Sequence, residues 1–465
     1  MNTTDLISPV DGRVYATRHF HTDGAFEAEI AAARGAQRDW AAIPLGERAA
    51  TCSRYVDAVL AMQEEIIPEL AWQMGRPVRY GAGELAGFAE RARHMISIAE
   101  ESLAPVIASE RPGFDRWIAR TPLGVVLVIA PWNYPLLTAV NSIVPALMAG
   151  NAVVLKHASQ TLLVGERLAA AARTAGLPEG LFANPVLRHG QVSEALARGA
   201  FDRVNFTGSV EAGRSIERAA AGTFTDAGLE LGGKDPAYVR SDADLAFAAA
   251  NIADGAFFNS GQSCCGIERV YVARSCFDEF VAAVAATADQ YRLGSPLDSE
   301  TTLGPMVNGR SADEVRDQIA SAVASGARIV NDVTRHEARG GPGSPYHEPV
   351  VLIDVDHGMD VMREESFGPV VGIMAVDSDD EAVALMNDSP YGLSASIWTA
   401  DAAAARTLGA RIETGTVFMN RADYLDPELA WTGVKDTGRG ATLSRLGYEL
   451  LTRPKSFHLR LGQPD

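Results

Sequence analysis

The segment NSGQSCCGIER at 259–269 puts two adjacent cysteines, Cys264 and Cys265, behind a Gly-Gln pair that starts a turn. Small residues around a thiol leave room for a substrate, and a thiolate is the nucleophile best suited to attack a carbonyl carbon. From these residues alone, a reactive thiol and a pair of buried, inert cysteines both stay open, because cysteine is among the most often buried residue types. In LELGGKDP at 229–236, Glu230 stands between Leu229 and Leu231. Apolar company disfavours the ionised carboxylate and suits a general base near neutral pH; a solvated acid at a turn is the plainer alternative. Asn133 sits between the two prolines of PWNYP at 131–135. An amide on so rigid a segment can donate to an oxyanion, or merely shape a turn.

A second group of residues suits a phosphate. In FDRVNFTGSVEAGRSIERAA at 201–220 an apolar strand ends at Thr207, Gly208 and Ser209, and a helix begins at once. Gly208 permits close backbone approach, Ser209 can cap the helix, and the free N–H groups of the first turn face an anion; a plain strand-to-helix turn has the same pattern. Lys156, at the end of NAVVLK, is expected just past a strand's carboxyl end, where open α/β sheets bind ligands, although a lone lysine there is commonly only solvated. GAGELA at 81–86 fits a G-x-G-x-x-A fingerprint, but no strand precedes it and its flanks are helical.

These residues need a scaffold that brings distant segments together. Helical spacing of Phe26, Ile30, Ala33, Ala36 and Trp40 predicts a helix over 23–42, and Ala-rich texture predicts more helix through 47–104. From Trp117 onward short apolar runs alternate with helical stretches, the pattern of a parallel sheet with crossover helices. A second set of strands is expected at 236–239, 269–273, 327–330, 349–355, 369–376 and 415–420, again with helices between. Residues 338–349, rich in Gly and Pro, read as an exposed loop.

The chain of 465 residues has room for about two to three domains. At 47% hydrophobic and 22% charged it is globular in composition, neither disordered nor a multi-span membrane protein. A formal charge of −18 repels phosphate backbones and anionic lipid, so no nucleic-acid or membrane partner is expected. Four cysteines make no disulfide framework, and no CxxC or HExxH spacing offers a metal site. The opening MNTTDLISPVDGRVYATR lacks a basic region followed by an apolar one, so a cytoplasmic location is expected.

In order and spacing, PWNYP, GNAVVLK, FTGSVEAG, LELGGKDP, FNSGQSCCGIER, EESFGPV, SPYGLSASIW and TGVKDTGRG resemble the NAD(P)-dependent aldehyde dehydrogenase superfamily, over residues from about 120 to 455. The resemblance implies Cys264 as nucleophile, Glu230 as general base and Asn133 as oxyanion amide. It implies cofactor contacts from Trp132, Lys156, Ser159, Gly208, Ser209, Gly213, Leu231 and Gly232, with Glu365 holding the nicotinamide ribose beside Phe367. It implies an aldehyde pocket walled by Tyr134, Asn141, Ser142, Ser263, Cys265, Tyr424, Leu425 and Trp431, with Arg421 beside it. NAD is the expected cofactor, with NADP possible, because Ser159 stands where many NAD-preferring members carry a glutamate. A further departure is WTGVK at 431–435, where the family usually has Phe-Gly-Gly.

The fold implied is α/β. A Rossmann-like NAD(P)-binding domain spans 1–104 and 121–228, a catalytic domain 229–444, and a small β bridging element 105–120 and 445–465. That element pairs subunits in the family, so a homodimer or homotetramer is expected. The mixed aromatic and polar pocket suggests a polar or aromatic, amine-derived aldehyde as substrate partner. Three rivals remain in view: a CoA-acylating aldehyde dehydrogenase, a cysteine hydrolase using Cys264 with His347 or His357, and a catalytically silent homologue.

Overall fold

Two runs, the wholly apolar Val125–Ala130 and Ala152–His157, apolar as far as Leu155, have every residue buried and lie side by side. Burial on both faces is what a parallel strand covered by crossover helices requires. In the computed structural model, which describes residues 2–462, they form the middle of a six-stranded sheet. Its order is Gly438–Arg439, Asp226–Glu230, Arg203–Thr207, Val125–Ala130, Ala152–His157, Phe182–Ala183, parallel throughout except at the first pair. The register sets Ile129 beside both Lys156 and Phe206, and Thr207 beside Glu230. Lys156, Thr207, Glu230 and the segment leaving Ala130 therefore all reach the carboxyl edge of one sheet, where doubly wound folds hold ligands.

The second sheet has seven strands, ordered Arg328–Ile329, Val350–Ile353, Val370–Val376, Ile267–Ala273, Asp235–Val239, Ser394–Trp398, Thr416–Met419. Only its Arg328–Ile329 edge is antiparallel. Ser394–Trp398 adds a strand beyond those expected from the sequence. Pro236 lies in a central strand, and the register shifts between Asp235 and Pro236, as a residue with no N–H to donate demands. A third, antiparallel sheet joins Thr452–Arg460, Phe114–Pro122 and Val106–Ile107, with Trp117 stacked on Phe457 at 4.5 Å. The whole is an α/β fold.

Some boundaries differ from expectation. The N-terminal hundred residues open with a hairpin, Thr3–Ile7 paired with Val14–His19, before the helix Asp23–Ala42; these strands are polar and mostly exposed, so no apolar run marks them. A domain border after 228 cuts through the strand Asp226–Glu230, which completes the first sheet and is capped there by Gly438–Arg439. Trp431, Leu443, Tyr448 and Leu451 pack into the same core as Val125–Ala130, so the first unit also reclaims part of the C-terminal region. Met1 and residues 463–465, the ends of the expected cofactor domain and bridging element, lie outside the described residues. GAGELA falls inside the helix Val78–Ser97, where a Cβ on Gly81 would stand 2.7 Å from Ile67, so packing accounts for that glycine. Among the described residues no helix is long and apolar enough to cross a membrane, and no group of three or more His, Cys, Asp and Glu side chains is placed to hold a metal ion.

Candidate active site

The cysteine turn is built from the end of a helix. Leu245–Phe257 stops, and Asn259 (φ 54°), Ser260 (φ 57°) and Gly261 (φ 70°) reverse the chain in left-handed backbone. Two non-glycine residues in that region are costly and persist where the surroundings over-determine them. Here they do. The Gln262 side chain donates to the Asn259 carbonyl at 3.0 Å and accepts from the Val307 amide at 2.7 Å, and Ser260 Oγ donates to the Gly304 carbonyl at 2.8 Å. A Cβ on Gly261 would stand 2.2 Å from the Gly368 carbonyl oxygen, so only glycine fits. The turn delivers Cys264 half-buried, and its backbone N–H donates to no group among the described residues.

Asn133 meets this turn directly. Its Nδ2 donates to the Gln262 carbonyl at 3.1 Å, which occupies one of its two N–H groups and leaves the other. Its own carbonyl accepts from Arg76 Nη2 at 2.6 Å and from Asn259 Nδ2 at 3.2 Å. Arg76 in turn is ion-paired with Glu84, whose Oε1 accepts from the Leu136 amide at 2.9 Å. This buried network fixes PWNYP against the cysteine turn. Replacing Asn133 by Ala removes an amide donor bonded to the cysteine turn and is expected to lower kcat by roughly 10²- to 10³-fold with little change in cofactor affinity, as single-turnover and binding measurements would show.

Glu230 ends its strand between two hydroxyls. Thr207 Oγ1 donates to Oε2 at 3.0 Å and Thr442 Oγ1 donates to Oε1 at 2.5 Å. Burial pushes its carboxyl above the ordinary carboxylate range; the two hydroxyls and the Arg91 guanidinium oppose that shift. Glu230 and Cys264 line one cavity of about 770 Å³.

Of the residues expected in the pocket, Tyr134, Asn141, Ser263, Cys265, Tyr424, Leu425 and Trp431 line that cavity, and two do not. Asn141 and Ser142 are consecutive in the helix Pro135–Met148 and point about 100° apart. Asn141 faces the cavity, whereas Ser142 turns inward and accepts from Asn205 Nδ2 at 3.0 Å. Arg421 is exposed, with its guanidinium 3.6 Å from the Tyr424 ring centre, outside the cavity wall. Arg91 and Asp423, which no motif marks, join the wall from a helix and a loop. Among the described residues no histidine lines the cavity. His347 Nδ1 is 2.7 Å from the Glu348 carbonyl, and His357 lies between Tyr271 and Asp388, so neither can serve Cys264.

At the sheet's carboxyl edge the residues fit a dinucleotide. Lys156, 6% exposed and inside its strand rather than past it, makes no side-chain hydrogen bond or ion pair among the described residues. A buried ammonium without a protein acceptor suits a ribose or phosphate oxygen. Ser159 opens the single 3₁₀ turn that follows. Ser209 caps Val210–Ala220, its side chain accepting from the Ala212 amide at 3.3 Å, and Gly208 precedes it. Gly213 lets Leu231 pack on that helix, where a Cβ would come within 2.4 Å of the leucine. Across the cleft Glu365 accepts from the Gly233 amide at 3.0 Å and comes so close to Gly232 that any side chain there would collide. Burial, with Glu268 nearby, pushes the Glu365 carboxyl up to about 8. Phe367 meets Trp132 edge-on at 5.6 Å.

A thiol and a carboxylate in one cavity, beside a cleft suited to a dinucleotide, belong to an oxidoreductase acting on aldehydes. The chain is a member of the aldehyde dehydrogenase family, whose family model matches residues 1–457. A betaine aldehyde dehydrogenase from Cereibacter sphaeroides is 35% identical over 472 aligned positions, covering 99% of this chain and 94% of its own. A succinate-semialdehyde dehydrogenase [NADP(+)] from Deinococcus radiodurans is 34% identical, covering 97% and 93%. The crystal structure of an NAD-dependent aldehyde dehydrogenase from Sinorhizobium meliloti matches with a TM-score of 0.94 at 32% identity, covering 100% of this chain and 92% of that one.

Proposed function

We propose that the protein oxidises a polar or aromatic, amine-derived aldehyde to its carboxylic acid with NAD(P)⁺, through a thioester on Cys264. The observation that carries this reading is the shared cavity: the Cys264 thiol and the Glu230 carboxylate face one space, and the Asn133 amide is hydrogen-bonded two residues before the thiol.

The Cys264 thiolate adds to the aldehyde carbon. The resulting oxyanion is assigned to the second N–H of Asn133 and the unpartnered N–H of Cys264, the two donors that the turn leaves unused. Bound nicotinamide supplies the hydride acceptor. As the oxyanion collapses, carbon is left as a thioester on Cys264. Glu230 then takes a proton from water, the hydroxide adds to the thioester, and the acid leaves as the thiolate re-forms. Lys156, Ser159, Ser209, Gly208 and Glu365 are assigned to the cofactor. NAD is favoured with NADP tolerated, because Ser159 offers neither a repelling carboxylate nor a phosphate clamp.

The substrate class follows from the wall. Tyr134, Tyr424 and Trp431 supply aromatic faces, while Asn141, Arg91, Asp254 and Asp423 supply polar ones, a lining that a plain alkyl chain would leave unsatisfied. The exposed edge strand Val106–Ile107 supports a homodimer or homotetramer through strand addition. Initial rates of NADH and NADPH formation over aliphatic, aromatic, amino and carboxylated aldehydes test the reading, with the Cys264→Ala variant as blank. Polar aldehydes are expected to exceed alkanals of equal length by about tenfold in kcat/KM; simple alkanals as best substrates would refute the class.

A further inference from the structure

The carboxylate of Asp423 contacts the residues on either side of the nucleophile and not the nucleophile itself. Cys265 Sγ donates to Asp423 Oδ1 at 2.8 Å, and Ser263 Oγ donates to the same oxygen at 3.3 Å. The hydroxyl and the thiol are 3.5 Å from each other. Asp423 is held for this task by a loop in left-handed backbone, with Asn420 at φ 53° and Asp423 at φ 50°. The loop is moored to the second sheet: Asn420 Oδ1 accepts from the Thr399 amide at 3.0 Å and its Nδ2 donates to the Thr399 carbonyl at 2.9 Å. A loop distant in sequence thus grips the cysteine turn at both flanks.

The grip bears on a chemical problem posed by the sequence. Two adjacent thiols start with the same intrinsic acidity, near pKa 8.5, yet only one is useful as a thiolate. We infer that Asp423 is a positioning residue that reserves nucleophilicity for Cys264: by binding Cys265 and Ser263 it keeps the second thiol protonated and tied to the loop at the cavity wall. The inference rests on the proposed role of Cys264.

The electrostatics agree. Cys265 is held well above the ordinary thiol range, first by its contact with Cys264, then by burial and by the Asp423 charge. Cys264 has no carboxylate as a hydrogen-bond partner and opens on the cavity. The groups facing Asp423 are Cys265 and Ser263 from the turn, Arg91 from Val78–Ser97 and Asp254 from Leu245–Phe257; Arg76 and Tyr134 also feel its charge. Burial pushes the Asp423 carboxyl up to about 6, the hydrogen bond from Cys265 opposes this, Asp254 adds to it, and Ser263 and Arg91 oppose it. Above that pH the carboxylate is charged and penalises a Cys265 thiolate; below it the penalty fades.

The test is alkylation by iodoacetamide with peptide mass spectrometry, reading label on Cys265 against label on Cys264. In the unaltered protein at about pH 8 the label is expected almost wholly on Cys264. Asp423→Asn, which keeps the shape and removes the charge, is expected to raise the share on Cys265 by about tenfold, the scale of one hydrogen bond to a charged group. Asp423→Glu is expected to recover part of the discrimination. A second measurement needs no variant: in the unaltered protein the Cys265 share rises as pH falls from about 8 to about 5, through the Asp423 titration. An unchanged labelling ratio in Asp423→Asn, or a ratio flat with pH, overturns the inference while leaving the proposed reaction intact. Dominant labelling of Cys265 in the unaltered protein overturns both. Normal labelling without NAD(P)H formation from any aldehyde overturns the reaction alone.

Discussion

Cys264→Ala is expected to abolish NAD(P)H formation with every aldehyde, a fall in kcat of roughly 10⁴-fold or more, on the scale of losing a covalent nucleophile. Without sulfur there is no atom to form the tetrahedral adduct, and the donors of Asn133 and the Cys264 amide have no oxyanion to bind. The neighbouring thiol is a poor substitute, because Cys265 is buried and committed to Asp423 at 2.8 Å. Folding should barely change. Cys264 is half-buried and makes no hydrogen bond that shapes the turn, which Gln262, Ser260 and Asn133 hold instead. Loss of one sulfur at such a site costs at most about 1 kcal/mol. The check is a titration of cofactor against the variant by tryptophan fluorescence, beside a turnover assay. Binding kept and turnover lost is the expected pair; turnover above about one per cent of the parent rate would transfer the chemistry to another residue.

The central strands were legible because they are buried on both faces: VVLVIA and the AVVL of AVVLKH are continuous apolar runs that suit little else. Asp226–Glu230 was harder to see. Its five residues alternate, its last is an acid, and two glycines follow, so local pattern reads as a turn while the sheet supplies a strand. The hairpin Thr3–Ile7 with Val14–His19 left no apolar trace because both faces are largely solvated. Cys264, Glu230 and Asn133 were legible through their motifs, since each lies in a segment whose glycines and prolines are themselves needed for geometry. Asp423, Thr442 and Arg91 carry no such frame. Asp423 and Arg91 reach the cavity, and Thr442 reaches Glu230, through tertiary packing, and nothing beside them in the chain distinguishes them from ordinary surface residues. Ser142 fails for the opposite reason: it sits in the right motif, one residue too far round the helix from Asn141.

Glu230→Gln separates the two halves of the reaction. Acylation needs the thiolate and the oxyanion donors, whereas release of the acid needs a proton taken from water. The variant is expected to form about one equivalent of NAD(P)H per subunit in a burst and then stall, with steady-state kcat down roughly 10²- to 10⁴-fold. Intact-mass spectrometry after the burst should find the acyl group on Cys264. Geometry is preserved, because the amide oxygen still accepts from one threonine hydroxyl, and the other hydroxyl can rotate to accept from the amide N–H. The pH dependence has a definite sign. In the parent protein the base is the deprotonated carboxylate, so the deacylation rate rises with pH through a Glu230 pKa raised by burial. The same raised value means that ionisation opposes folding. Glu230's contribution to stability is complete below the ordinary carboxylate pKa and is lost as pH rises through its folded value. Glutamine cannot ionise and escapes that loss, so the thermal midpoint of the variant relative to the parent should be higher at about pH 8 than at about pH 5. The burst also discriminates the acceptor. If CoA rather than water resolved the thioester, adding CoA would restore steady turnover to Glu230→Gln, since a thiol needs no such base; a stall that persists with CoA present leaves water as the acceptor and Glu230 as the group that activates it.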